Sequence, residues 1–248
     1  MLLALLVLAA FAAGLVDAIA GGGGILTVPA LLAAGLDPRV ALATNKGQAI
    51  FGSSASLFSF ARHGMVDRAR APWSFLAAGC GAAIGAKLVL AVDPRELRPI
   101  VLALLVVAVA SSFLKKPVAA GTPSAAAAWP RLLALGIALP IGTYDGFFGP
   151  GTGTFLLLAY AYLYGDGLVL ASGNAKVANF ASNLVSFAMF ASTGLIRWDL
   201  ALPMGVAQLA GALVGTRLAV RRGAGVVRGV AIAVSFALAV RVAWQMSQ

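Results

Sequence analysis

Four ionisable side chains lie inside long apolar runs: Asp17, Lys46, Asp145 and Lys176. An ionised group at a bilayer centre costs about 2.5–3.5 kcal/mol on insertion scales, so each should face a protein interior or a wet cavity. The lysines sit in ALATNKGQAIFGSS and LASGNAKVANFASN, among Thr44, Asn45, Gln48, Ser53, Asn174, Asn179 and Asn183. Lys176, Asn179 and Asn183 are spaced i, i+3, i+7, which puts them on one polar face of a helix. Both aspartates precede glycine breaks, DAIAGGGGILTVP and DGFFGPGTGTF. A helix starting after such a break exposes unpaired N–H groups and about half a positive charge, and glycine lets a ligand approach them. Gly23, Gly24, Gly151, Thr152 and Gly153 are therefore candidate ligand contacts. Two ammonium groups, two helix N-termini and several amides suit the oxygens of a small anion. Asp17 and Asp145 have two readings. They carry a coupling proton, or they brace the hairpins as ion pairs, Asp17 with Lys46 and Asp145 with Lys176.

The elements that position these residues must be membrane helices. Of 248 residues 61% are hydrophobic and 10% charged, with a mean hydropathy of +0.96, against about 25% charged residues in an ordinary soluble domain. One helical crossing needs about 20 apolar residues, and such stretches run from end to end. The net charge of +10 is concentrated in short connections, where it orients helices toward the cytoplasm; nucleic acid is not an expected partner. The lone cysteine, Cys80, allows neither an internal disulfide nor a cysteine metal cluster and reads as a packing residue. No cofactor is expected, and no Walker-type loop is present. The first twenty residues lack the positive start of a secretory signal.

The chain is duplicated. At a shift of 128, Gly14, Asp17, Gly21 and Gly23 fall on Gly142, Asp145, Gly149 and Gly151. At a shift of 130, Lys46, Ser56, Phe60, Gly64, Gly81, Gly85 and Arg98 fall on Lys176, Ser186, Phe190, Gly194, Gly211, Gly215 and Arg228. Because Asp17 has a counterpart deep in the chain, the N-terminal segment is expected to belong to the fold. The expected division is a first repeat over 1–114, a linker over 115–130 and a second repeat over 131–248.

Each repeat reads as a broken, re-entrant or tilted helical hairpin followed by three transmembrane helices. The hairpins cover 2–20 with 24–35 and 131–146 with 151–164, their arms short for full spans. The helices cover 38–62, 71–92 and 95–114, then 167–194, 199–221 and 225–245. Base-rich connections after 62, 114 and 217 are expected in the cytoplasm. Each repeat then crosses three times, so the second copy is inverted and both termini face outward. Gly81, Gly85, Gly211 and Gly215 read either as close helix contacts or as functional glycines. Lys87 and Arg217 should snorkel to the headgroups, and His63 should be solvated. Broken helices and inverted repeats meeting near a midplane site form a transporter pattern.

With these segments in view the chain resembles the sulfite exporter TauE/SafE (TSUP) family of permeases. The resemblance rests on GLVDAIAGGGGILTVPALLAAGLDPRVALATNK, YDGFFGPGTGTF, GNAKVANFASNLVSFAMFASTGLIRW and QLAGALVGTRLA. It implies a multi-pass inner-membrane protein of bacteria that moves sulfite, sulfonates or related small sulfur-containing anions. It carries Asp17, Lys46, Asp145, Lys176, Asn179 and Asn183 as site positions. Asn174 stands where the first half has Thr44, so the half-sites are not chemically equivalent. The expected function is a secondary transporter exporting sulfite or an organosulfonate by alternating access, with proton coupling through Asp17 or Asp145. The alternatives are an importer or channel for a related anion. An intramembrane aspartyl protease is disfavoured because both aspartates precede their glycines, where a GxGD signature needs the aspartate after them.

Overall fold

The computed structural model describes residues 1–112 and 128–222. The helix expected over 225–245 and most of the linker lie outside the described residues. The described chain is all helical: α1 (Leu2–Ala20), α2 (Gly24–Ala33), α3 (Pro38–Arg62), α4 (Ala71–Ala91), α5 (Pro94–Ser112), α6 (Pro130–Phe147), α7 (Thr152–Leu163), α8 (Leu168–Ala191) and α9 (Trp198–Arg222).

Local chemistry explains the boundaries. Asp37 caps α3 by accepting the Arg39 N–H at 3.0 Å, and Pro38 fills the first turn, where no intrahelical N–H is needed. The first hairpin breaks at Gly21 and Gly22, with φ of 75° and 95°, and the second at Gly149 and Gly151, with φ of 96° and 90°. Only glycine enters that region without steric cost. One expectation is corrected: α1 has 19 residues and is long and apolar enough to cross a membrane, as are α4 and α9. The short arms are α2 and α7, of 10 and 12 residues, about 15 and 18 Å at 1.5 Å per residue.

Burial departs from that of a soluble domain at both the surface and the centre, although apolar clusters fill much of the interior. Leu5, Leu8, Leu76, Leu88 and Val206 are exposed, whereas Lys46, Lys176, Asp145, Asn45 and Gln48 are buried. Apolar surface outside and charge inside is the distribution a bilayer solvent selects. Cys80 also points outward on α4, which corrects its reading as a packing residue.

The most extensive helix contacts pair α4 with α6 and α1 with α9, so each half packs chiefly on the other. Glycine makes this possible. A Cβ at Gly81 or Gly85 would lie 2.2 or 2.0 Å from the backbone oxygens of Leu139 and Thr143. The counterparts Gly211 and Gly215 would meet the Phe11 and Leu15 oxygens at 2.1 and 2.5 Å. The same contacts recur at the repeat shift, which decides the reading of these glycines in favour of close helix packing. Within both pairs, contact positions advance together along the chain, so α1 runs parallel to α9 and α4 parallel to α6.

Gly85→Ala is expected to lower the thermal unfolding midpoint in detergent, because overpacking costs about 1–3 kcal/mol. Gly136→Ala on α6, where a Cβ meets nothing within 4 Å, should leave the midpoint unchanged or raise it. Equal melting of the two variants would dismiss glycine packing as the determinant of the α4–α6 contact.

Candidate functional site

The four buried charges converge where the hairpin breaks meet. The tips abut: a Cβ on Gly21 would lie 2.2 Å from the Gly153 carbonyl carbon, and one on Gly24 would lie 3.2 Å from the Pro150 Cα. Lys46 on α3 reaches across to Asp145 near the end of α6, with Nζ 3.0 Å from Oδ2. Lys176 on α8 reaches Asp17 near the end of α1, with Nζ 2.8 Å from Oδ2. The pairing is thus exchanged relative to the sequence expectation of Asp17 with Lys46 and Asp145 with Lys176. Both bridges join one half of the chain to the other. The physical reason is the cross-packing of α1 and α6, which carries each aspartate to the opposite half.

Neighbouring groups complete the desolvated charges. Lys176 Nζ also donates to the backbone oxygen of Asp17, placing a cation at the negative end of α1. Asp17 Oδ1 accepts from the Gly23 N–H at 3.4 Å, at the start of α2. A resident carboxylate therefore occupies the helix N-terminus that an anion would otherwise approach. Asp145 accepts a hydrogen bond from Ser182. Lys46 Nζ donates to Asn183 Oδ1 at 3.3 Å, and Asn183 Nδ2 donates to the Asn179 oxygen at 2.7 Å. Asn45 Oδ1 accepts from Thr27 Oγ1 at 2.6 Å and from Gln48 Nε2 at 3.0 Å. Two ammonium groups against two carboxylates leave the centre formally neutral.

These groups surround a cavity of about 30 Å³, room for a water or two and too small for a sulfur oxyanion. Among the expected residues, Asp17, Gly23, Gly24, Asn45, Lys46, Asp145, Gly153, Asn179 and Asn183 form its wall. Lys176 stands behind Asp17, and Gln48 touches the wall through Asn45. Gly151 and Thr152 are turned away: a Cβ on Gly151 would meet Ala108 of α5 at 3.0 Å, and Thr152 Oγ1 donates to the Gly149 oxygen at 2.7 Å. Sequence reasoning missed Gly22, Ala49, Gly149 and Gln208 on the wall, and Ser182 behind it. A polar amide inside an apolar span was the available signal for Gln208.

Asn174 belongs to a second buried cluster. Its Oδ1 accepts the Asp67 N–H at 2.8 Å, and its Nδ2 donates to Asp166 Oδ2 at 2.9 Å. Arg70 bridges Asp166 at 3.1 Å and Asp67 at 2.7 Å, with its guanidinium 4.1 Å from the centre of the Tyr164 ring. Partial burial raises the Asp67 carboxyl, but the Ala69 N–H and the Arg70 guanidinium outweigh it and hold the group below its ordinary value. In the other half the Thr44 hydroxyl accepts the Arg197 N–H at 3.1 Å. Thr44 and Asn174 thus hold equivalent loops against the opposite half.

Removing one member of a buried ion pair strands a charge and costs about 3–5 kcal/mol. Lys46→Met is therefore expected to destabilise the protein strongly, and adding Asp145→Asn should recover most of the loss. Adding Asp17→Asn should recover none. Thermal unfolding of the purified variants reads the difference, and rescue by Asp17→Asn alone would reinstate pairing within each half.

The family model described as "Sulfite exporter TauE/SafE" matches residues 6–242. A probable membrane transporter protein, ORF9, of a Sinorhizobium species is 40% identical over 241 residues, covering 97% of this chain and 92% of its own. A probable membrane transporter protein of Haemophilus influenzae is 35% identical, covering 98% of this chain and 95% of its own. The probable membrane transporter protein YfcA of Escherichia coli K12 is 37% identical, covering 95% and 87%. No solved structure matches. With the family model spanning nearly the whole chain and full-length relatives named as transporters, this membrane protein belongs to the sulfite exporter TauE/SafE family of transporters.

Proposed function

We propose that the protein exports a small sulfur oxyanion, sulfite or an organosulfonate, across the bacterial inner membrane by proton-coupled alternating access. The observation that carries this reading is the pair of crossed bridges, Lys46 with Asp145 and Lys176 with Asp17, at the junction of the two hairpin breaks. In the closed arrangement each carboxylate acts as a resident anion, holding a lysine and locking one repeat to the other. Protonation of Asp145 or Asp17 frees an ammonium group for the substrate, whose oxygens also meet Asn179, Asn183 and the N–H groups beside Gly23. Exchange of a carboxylate for a mobile anion loosens the bridge between halves, which then rock about the site. The neutral closed centre favours coupling, because an anion entering with a proton adds no net charge to a low-dielectric cavity.

The sequence division into repeats over 1–114 and 131–248 fits this mechanism, and the parallel courses of α1 with α9 and of α4 with α6 support inverted copies. The base-rich ends of α3 and α9 then face the cytoplasm, and both termini face outward.

Purified protein in liposomes is expected to show saturable sulfite flux and counterflow. Lys46→Ala with Lys176→Ala should reduce it at least about 100-fold, the loss of two charge-assisted contacts of about 1.5–3 kcal/mol each. Normal flux in that double variant would remove the lysines from the site. Asp17→Asn and Asp145→Asn should lose the acceleration given by a pH gradient. Full retention of the gradient response in both would eliminate proton coupling while leaving anion transport intact.

A further inference from the structure

The central site is neutral and closed, so neither net attraction for an anion nor a way in comes from the two ion pairs. A second cavity, of about 450 Å³, lies between the C-terminal ends of α3 and α9. Among the described residues, Arg62, His63, Arg217 and Arg221 line it with Ser59, and no acidic side chain does. Arg62, Arg217 and Arg221 are exposed, and none has an acidic partner among the described residues within 4.0 Å. The His63 Nδ1 donates to the Ser59 oxygen at 2.7 Å, which seats the imidazole against the end of α3.

A file of buried polar atoms lies between this cleft and the centre. α3 and α9 run parallel: a Cβ on Gly47 would meet Ala201, one on Gly205 would meet Phe51, and one on Gly52 would meet Gln208. Ala55 and Ala212 share the next apolar contact. Along this seam Gln48 Oε1, Gln208 Oε1, Ser56 Oγ and Thr216 Oγ1 are buried without a hydrogen-bond partner in the protein. Gln208 also lines the central cavity, Ser56 lies about one turn beyond Gly52, and Thr216 lies one turn beyond Ala212, next to Arg217. An unsatisfied buried polar atom costs about 1–3 kcal/mol, and here four follow one line. The equivalent line on α8 and α4 keeps one such atom, Ser186 Oγ, the counterpart of Ser56, but is otherwise less polar: Ala78 and Ala86 stand where α9 has Gln208 and Thr216, and Met189 stands where α3 has Ser59.

We propose that the α3–α9 seam is the hydrated route between the central site and a basic vestibule formed by Arg62, His63, Arg217 and Arg221, which selects small oxyanions by charge. The inference rests on the transporter reading and names its entrance. The vestibule supplies the net attraction that the neutral centre lacks, and the seam hydroxyls and amides replace water around the passing anion. A phosphate headgroup of an anionic lipid has the same chemistry as a free oxyanion and is the competing occupant.

Cys80 is the single cysteine, so a Cys80→Ala background permits a labelling test that needs no transport. In phosphatidylcholine nanodiscs, Ser56→Cys and Thr216→Cys are expected to react with the sulfonate-bearing reagent 2-sulfonatoethyl methanethiosulfonate about tenfold faster than Ala86→Cys. They should also react faster with it than with its trimethylammonium analogue, and Ser59→Cys should react fastest as the mouth of the route. Arg62→Gln with Arg217→Gln and Arg221→Gln should erase the preference for the anionic reagent without abolishing labelling. Unreactive Ser56→Cys and Thr216→Cys beside a reactive Ser59→Cys would overturn the route. An anionic preference that survives the triple arginine variant would overturn the vestibule. Its loss on adding phosphatidylglycerol would assign the cleft to lipid headgroups instead. Absence of wild-type sulfite flux with the labelling pattern intact would count against the transported substrate and not against the route.

Discussion

Two lysines and two aspartates buried in an apolar helical bundle set the constraint on which the rest of the structure depends. None of the four can be desolvated alone, because an uncompensated charge in a low-dielectric interior costs more than any single packing contact returns. Each must therefore find its partner, and the partners lie in opposite halves of the chain. Lys46 meets Asp145 only if α3 of the first half approaches the end of α6, and Lys176 meets Asp17 only if α8 approaches the end of α1. The glycine stripes on α4 and α9 bring the backbones of α6 and α1 close enough for this, and the hairpin breaks stop α1 and α6 soon after their aspartates.

The arrangement makes the centre both strong and removable. Under the proposed mechanism, an ion pair that bridges halves is a bolt that a proton and a competing anion withdraw together, whereas apolar packing offers no such release. The small central cavity and the resident carboxylate on the Gly23 N–H describe that bolt when closed. The family assignment supplies transport.

The two halves are not chemically equal. Thr44 and Asn174 make equivalent loop contacts, yet only Asn174 extends its contact into an Arg70 and Asp166 network. Ala78 and Ala86 stand on α4 at the positions equivalent to Gln208 and Thr216 of α9. The two halves thus differ in their polar interiors.

Much of this was legible in the residues themselves. Among the described residues, helix boundaries followed from apolar runs punctuated by glycine and proline, and the hairpin breaks from the glycine knots after Asp17 and Asp145. The four charges followed from their cost inside a membrane. Local sequence determines these features because helix length, glycine breaks and burial cost depend on composition within a few turns. Partner choice is different: Asp17 with Lys46 and Asp17 with Lys176 are equally complementary as charges, and only the packing of α1 on α9 and of α6 on α4 decides between them. The same packing turned Gly151 and Thr152 away, moved Asn174 to another cluster and brought Gln208 to the wall. The two ion pairs join residues 99 and 159 apart in sequence (145 − 46 and 176 − 17), and no local pattern encodes their geometry.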